Sequence, residues 1–226
     1  MVNTSLNDIK CAIFDMDGTL LDSMPMWHTI GEKYLESLGY QAPKGLWDEI
    51  KRLNLEEWAD YFLARYKSTK TKEEVMDDIS NMIIDSYAKS LPLKEGARQL
   101  LENLNKKNIP CYLATATERS SVIACMERLD CLKYFKKILT CMEYKTSKSE
   151  PKIFEIAAQD AGLKNEECMV FEDALHAIRS AHGAGFKVCA VYDSSDEEIT
   201  EPPLSDWERI LPLSDISCSS LAQIKL

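Results

Sequence analysis

A chain of 226 residues suits one α/β domain carrying a small insert, and a hydrophobic fraction of 45% is enough to fill a core. The net charge of -10 argues against nucleic-acid binding through a basic surface, but a local lysine or cation would still admit a small anionic substrate. No stretch reaches transmembrane length, and the polar N-terminus, Met1 to Asp8, lacks the apolar core of a signal peptide. The eight cysteines are scattered with no C-x-x-C pair, and Cys11, Cys111, Cys168 and Cys189 lie in strand-like segments where a free thiol behaves as a small buried apolar group, so the chain reads as a reduced, cytoplasmic protein rather than a disulfide framework or zinc site.

The first apolar run, Cys11-Ala12-Ile13-Phe14, reads as a short buried strand that ends in Asp15-Met16-Asp17-Gly18-Thr19. Successive strand side chains point to opposite faces, so Asp15 and Asp17 can address one point beyond the strand. Carboxylates so close repel unless a cation lies between them or their tasks differ. Gly18 permits a sharp turn and close approach to a ligand.

Residues 25 to 90 show only helical periodicities: Trp27, Ile30, Tyr34, Leu38; Leu55, Trp58, Ala59, Phe62; and Val75, Ile79, Met82, Ile83. Pro25 and Pro92 punctuate the block. This predicts an all-helical domain over 23–90, inserted into a core made of 1–22 and 91–226. After it, strand and helix alternate. Ile109 to Ala114, Ile138 to Cys141, Cys168 to Phe171 and Lys187 to Val191 read as strands. The intervening helices carry Phe154, Ala157, Ala158, Ala161 and then Ala174, Ala177, Ile178, Ala181 on one face. The pattern is that of an α/β fold with a doubly wound parallel sheet. Beyond about residue 200 the pattern is weak and no chemistry can be placed.

Further polar groups stand at the ends of the later strands. Thr115, with the Ala116 amide behind it, offers a hydroxyl and a free N–H where a helix begins, which suits a phosphate; a helix N-cap fits Thr115 equally well. Lys145, Lys148 and Lys152 share a polar loop. Glu172-Asp173 ends the Cys168–Phe171 run and, with Asp15 and Asp17, would complete an all-oxygen site of the kind Mg²⁺ prefers. His28, His176 and His182 lack partners at triad or zinc-ligand spacing and read as structural.

The Asp-x-Asp-Gly-Thr string resembles the nucleophile motif of the haloacid dehalogenase superfamily, in its phosphatase and β-phosphoglucomutase-like branch. The later elements follow in that family's order, and the resemblance extends to about residue 193. It implies a Rossmann-like core with a helical cap after the first strand, and a Mg²⁺-dependent phosphatase acting on a small phosphorylated metabolite through an aspartyl phosphate. By that resemblance Asp15 is the nucleophile and Asp17 the general acid and base. Thr115 and the Met16, Asp17 and Ala116 amides hold phosphate, and Lys148 neutralises its charge. Asp15, the Asp17 carbonyl, Asp173 and Glu172, directly or through water, hold the metal.

The chain departs from the family's Lys-Pro-x-Pro-Asp at Lys148-Ser149-Glu150-Pro151-Lys152, where the first Pro and the Asp are missing. Asp17 argues against the dehalogenases and phosphonatases of the superfamily. A sugar-phosphate mutase competes, but mutases of that branch place a histidine where this chain has Trp27, and their Gly-x-Ser-Arg segment is absent. His28, the next residue, points about 100° away on a helix. A non-catalytic binding protein on the same core is the third reading, and intact Asp15 and Asp17 count against it.

Overall fold

The computed structural model describes residue 6 and residues 9–51, 53–194 and 204–225. The expectation for Met1 to Asp8 therefore lies outside the described residues, apart from Leu6. The chain divides into two compact units, one of residues Met1–Asp22 with Pro92–Leu226 and one of Ser23–Leu91.

The first unit is built on six parallel strands: β1 Cys11–Phe14, β2 Cys111–Thr115, β3 Phe135–Thr140, β4 Cys168–Glu172, β5 Lys187–Val191 and β6 Ile216–Cys218. Their order in the sheet is β3-β2-β1-β4-β5-β6. β1, β2 and β4 are buried along their whole length, as parallel strands covered on both faces must be. Alternation sorts their side chains. Ile13, Tyr112, Ala114, Val170 and Val188 join one core with Phe154 and Ala157 of α8 (Lys152–Ala161) and Ile178 and Ala181 of α9 (Leu175–Gly183). Phe14, Leu113, Phe171 and Cys189 point to the opposite face, where α5 (Ala97–Lys106) lies against β2.

Two expected strands shift. β2 begins at Cys111, after Pro110. β3 begins at Phe135 and stops at Thr140, because Thr140 accepts the Glu143 N–H and caps the short α7 (Cys141–Tyr144). β3 is an edge strand, and its exposed Lys136 and Lys137 blunt that edge against further pairing. α6 (Arg119–Arg128) follows β2. The weakly patterned C-terminus contributes β6 and α10 (Asp206–Ile210). Gly96, at φ +82°, precedes α5, and a Cβ there would lie 2.5 Å from the Ala222 Cα, so this last segment packs into the core unit. All eight cysteines are buried free thiols.

The second unit holds α1 (Met24–Ser37), α2 (Leu46–Ile50), α3 (Leu55–Arg65) and α4 (Lys72–Lys89). Asn54 with Glu57 and Thr71 with Glu74 form capping boxes that start α3 and α4. Tyr34 and Phe62 meet at 5.1 Å, packed with Ile30, Trp58, Val75 and Ile79 in the buried set. Trp27, Met82 and Ile83, expected on the inner stripes, are only half-buried. Among the described residues no helix is long and apolar enough to cross a membrane.

Asp160, near the end of α8, ties that helix to the sheet. It accepts from the Tyr112 hydroxyl at 2.8 Å and from Lys137 Nζ at 2.9 Å, with Lys136 at 3.4 Å. Lys137 above all, then the Tyr112 hydroxyl, holds its carboxyl down at about 2. A carboxyl depressed in the native state adds stability above its unfolded value, and that contribution is lost as pH falls through its folded value. Asp160→Asn should therefore cost about 1 kcal/mol at pH 7, discounted for partial exposure. In urea unfolding, the gap between the two proteins should close as pH falls from about 4 towards about 2. A gap unchanged at the acid end would remove this ion pair as its cause.

Candidate active site

The carboxyl ends of β1 and β4 form the switch point of this strand order, where α/β sheets open a crevice. The two strands run in register, with Phe14 opposite Phe171, and the Asp15 N–H donates to the Phe171 carbonyl at 2.9 Å. The two phenyl rings stack at 4.3 Å and keep the strand ends level. Asp15 and Glu172 consequently emerge side by side, although 157 positions separate Asp15 from Glu172 in sequence.

Asp15, Glu172 and Asp173 are all buried, and an oxygen of each lies within 4.8 Å of the others. Lys148, itself only 7% exposed, reaches into this group, donating to Asp15 Oδ1 and, at 2.7 Å, to Glu172 Oε1. Of its neighbours in the loop, Lys145 is exposed and Lys152 donates to the Tyr144 carbonyl. Glu172 Oε2 accepts the N–H groups of Asp173 and Ala174, both at 2.9 Å, so both its oxygens are engaged. Burial, with Glu172 and Asp17 nearby, drives the Asp15 carboxyl well above its ordinary range against the pull of Lys148. Burial also disfavours the Lys148 ammonium, but Asp15 and Glu172 outweigh it and raise its pKa.

The turn after β1 is shaped for this crowding. Gly18 has φ +80°, and a Cβ there would fall 2.7 Å from Asp173 Cγ. Thr19, fully buried, donates to Asp173 Oδ1 at 2.8 Å. Asp17 is half-buried and its carboxylate stands outside the three-acid group, where the Thr117 hydroxyl donates to Oδ2 at 2.6 Å. Thr115 is buried at the end of β2, and its Oγ1 accepts the Thr117 N–H at 3.0 Å; Ala116, between them, is exposed. Met16 is buried, and its carbonyl accepts from Leu20 and Leu21 to close the turn.

Sequence reasoning passed over Thr19 and Thr117. Thr19 lies within the Asp-x-Asp-Gly-Thr string and Thr117 two places beyond Thr115, but neither position reveals its partner. His176 and His182 are exposed on α9, and His28 lies in the helical unit with its ring 4.8 Å from that of Trp47.

Beside the point where the chain leaves and re-enters the core unit, Asp22 N–H donates to the Pro92 carbonyl at 3.0 Å and Lys94 N–H to the Leu20 carbonyl at 2.8 Å. Lys94 then pairs with the buried Asp193 at 2.7 Å.

Residues 12–191 match the model of the haloacid dehalogenase-like hydrolase family. The chain is 25% identical over 179 residues to a phosphorylated carbohydrates phosphatase of Thermotoga maritima, covering 79% of this chain and 83% of the relative. It is 28% identical over 201 residues to a probable pseudouridine-5'-phosphatase of Drosophila melanogaster, covering 85% and 86%. The fold is similar to the crystal structure of a putative β-phosphoglucomutase from Thermotoga maritima, with a TM-score of 0.82 at 24% identity over 96% of each chain. The matched span runs from the strand that delivers Asp15 through the one that follows Asp173, and the chain belongs to the haloacid dehalogenase-like hydrolases, as an enzyme of the hydrolase class.

Proposed function

We propose that this chain is a phosphatase that hydrolyses a small phosphorylated metabolite through a phosphoryl group carried on Asp15. The observation that carries the reading is the buried Asp15–Lys148 pair set among Glu172 and Asp173 at the switch point of the sheet. Relatives named as phosphatases of phosphorylated carbohydrates and of a nucleoside 5'-phosphate support the substrate class.

The donor set fits a divalent cation, and Mg²⁺ best. It is all oxygen, and three acidic side chains face a single ammonium in a buried place. Asp15, Asp173 and the Asp17 carbonyl would hold the ion, with Glu172 acting through water because its own oxygens are engaged. Bound there, Mg²⁺ would offset charge on the phosphoryl oxygens.

In the proposed reaction an Asp15 oxygen attacks phosphorus in line as the bond to the leaving oxygen breaks. The departing oxygen keeps that electron pair and takes a proton from Asp17. Lys148, the Thr115 hydroxyl and the Met16 and Ala116 amides balance charge on the equatorial oxygens. Water then attacks the phosphoryl group, Asp17 accepts its proton, and the Asp15 carboxylate leaves. The helical unit of residues Ser23–Leu91 serves in this reading as the cap that selects the substrate.

Asp15→Asn should abolish turnover of phosphate monoesters, and Asp17→Asn should cost about 10²-fold or more in rate. Substantial activity left in Asp15→Asn would replace the covalent route by direct attack of water. With β-glucose 1-phosphate and a trace of glucose 1,6-bisphosphate, the unaltered enzyme should release inorganic phosphate if it accepts the sugar. Accumulation of glucose 6-phosphate with negligible phosphate would identify a mutase, despite Trp27, whose indole N–H can only donate.

Activity should disappear in a chelator and return on adding Mg²⁺. Asp173→Ala should raise the Mg²⁺ concentration needed for half-maximal rate by at least about tenfold while leaving thermal unfolding of the metal-free protein nearly unmoved, because removing a crowded carboxylate relieves repulsion. Full turnover in chelator would exclude the metal role.

A further inference from the structure

Asp17, the second acid of the Asp15-x-Asp17 pair, accepts a side-chain hydrogen bond from a threonine of another strand end. Thr117 follows β2 by two residues, and its hydroxyl gives a 2.6 Å bond to Asp17 Oδ2 across 100 positions of sequence. Thr117 is itself held, because its N–H donates to Thr115 Oγ1 at 3.0 Å. That bond occupies an acceptor site on the Thr115 oxygen and leaves the Thr115 O–H to donate elsewhere. One three-residue turn therefore fixes two things at once: the hydroxyl assigned above to phosphate and the carboxylate assigned to the leaving oxygen.

We propose that Thr117 is a positioning residue for proton transfer, pinning Asp17 Oδ2 so that Oδ1 faces the oxygen leaving phosphorus. This rests on the phosphatase reading above. To serve as acid, Asp17 must carry its proton on Oδ1 and hold one rotamer, and a short hydrogen bond from Thr117 to Oδ2 sets the direction of the protonated oxygen. The requirement is chemical as well as geometric. An alkoxide leaving group cannot depart at neutral pH without a proton, whereas p-nitrophenolate can. In the transfer of the phosphoryl group to Asp15, Thr117 should therefore matter for alkyl phosphates and hardly at all for activated aryl phosphates.

The test compares kcat/KM, which covers steps up to loss of the leaving group, for a polyol phosphate and for p-nitrophenyl phosphate, both with Mg²⁺. Thr117→Val should lower kcat/KM for the polyol phosphate by about 30-fold, the scale of one hydrogen bond to a charged group, and that for the aryl phosphate by less than about threefold. The loss should fall on kcat rather than KM, and Thr117→Ser should restore most of it. Thermal unfolding of each variant checks that the fold is kept. Equal losses on both substrates, no rescue by serine, or a rise in alkyl turnover would overturn the proposal; a rise would mean that the bond parks Asp17 away from its work. Failure of the unaltered enzyme to turn over either substrate would instead overturn the phosphatase reading, and the present one with it.

Discussion

Parallel pairing of β1 with β4, residue for residue, is the constraint from which the site follows. Neighbouring strands in a sheet lie about 4.8 Å apart, so residues that leave the sheet at the same height are held within reach of one another. Phe14 opposite Phe171 sets that height, and the stacked rings resist a slip of register. A shift by one residue would turn Asp15 to the other face of the sheet relative to Glu172. The core that fixes the register is apolar and ordinary. What it positions is a set of like charges that would not otherwise stay together.

Those charges are held at a cost that the surrounding groups reduce. Three buried carboxylates repel one another. Lys148 offsets two of them, the amides of Asp173 and Ala174 bond Glu172 further, and Thr19 serves Asp173. Gly18 completes the arrangement by leaving no Cβ where Asp173 must lie. Structures that tolerate residual strain and repulsion in one cleft generally do so where a ligand later supplies the missing charge. In the reading proposed above, a divalent cation would meet the carboxylates and a phosphate monoester the Thr115 hydroxyl.

Much of the fold was legible because the strands that carry it are short unbroken apolar runs, and the helices between them keep a 3.6-residue stripe. The apolar pattern of β3 starts only at Ile138, since Phe135-Lys136-Lys137 is an edge-strand segment whose lysines hide the period. β6, with three residues and Ser217 at its centre, is too short to show a period at all. The five-residue α2 was likewise invisible between the stronger helical stripes. In the site, Asp15, Asp17, Glu172 and Asp173 stood out because acids at the end of apolar runs break the surrounding composition. Lys148 did not stand out by composition, having Lys145 and Lys152 as near neighbours; it is burial against Asp15 that distinguishes it.

The residues that sequence reasoning missed share one property: each acts as a donor to an acid supplied by a different segment. Thr19 reaches 154 positions forward to Asp173, and Thr117 reaches 100 positions back to Asp17. Serine and threonine near turns are common enough that their local context points first to caps and turns. Identifying these two as site residues requires knowing which carboxylate each faces, which is a fact of topology rather than of pattern. Yet these donors convert a cluster of acids into an oriented site. An acid that can rotate offers its oxygens in many directions, and catalysis by preorganised groups depends on removing that freedom before the substrate arrives. Four strand ends, those of β1, β2, β3 and β4, deliver the residues or the loops that do so, with Lys148 following β3. The parallel sheet is thus the means by which acids and their distant donors meet at one edge.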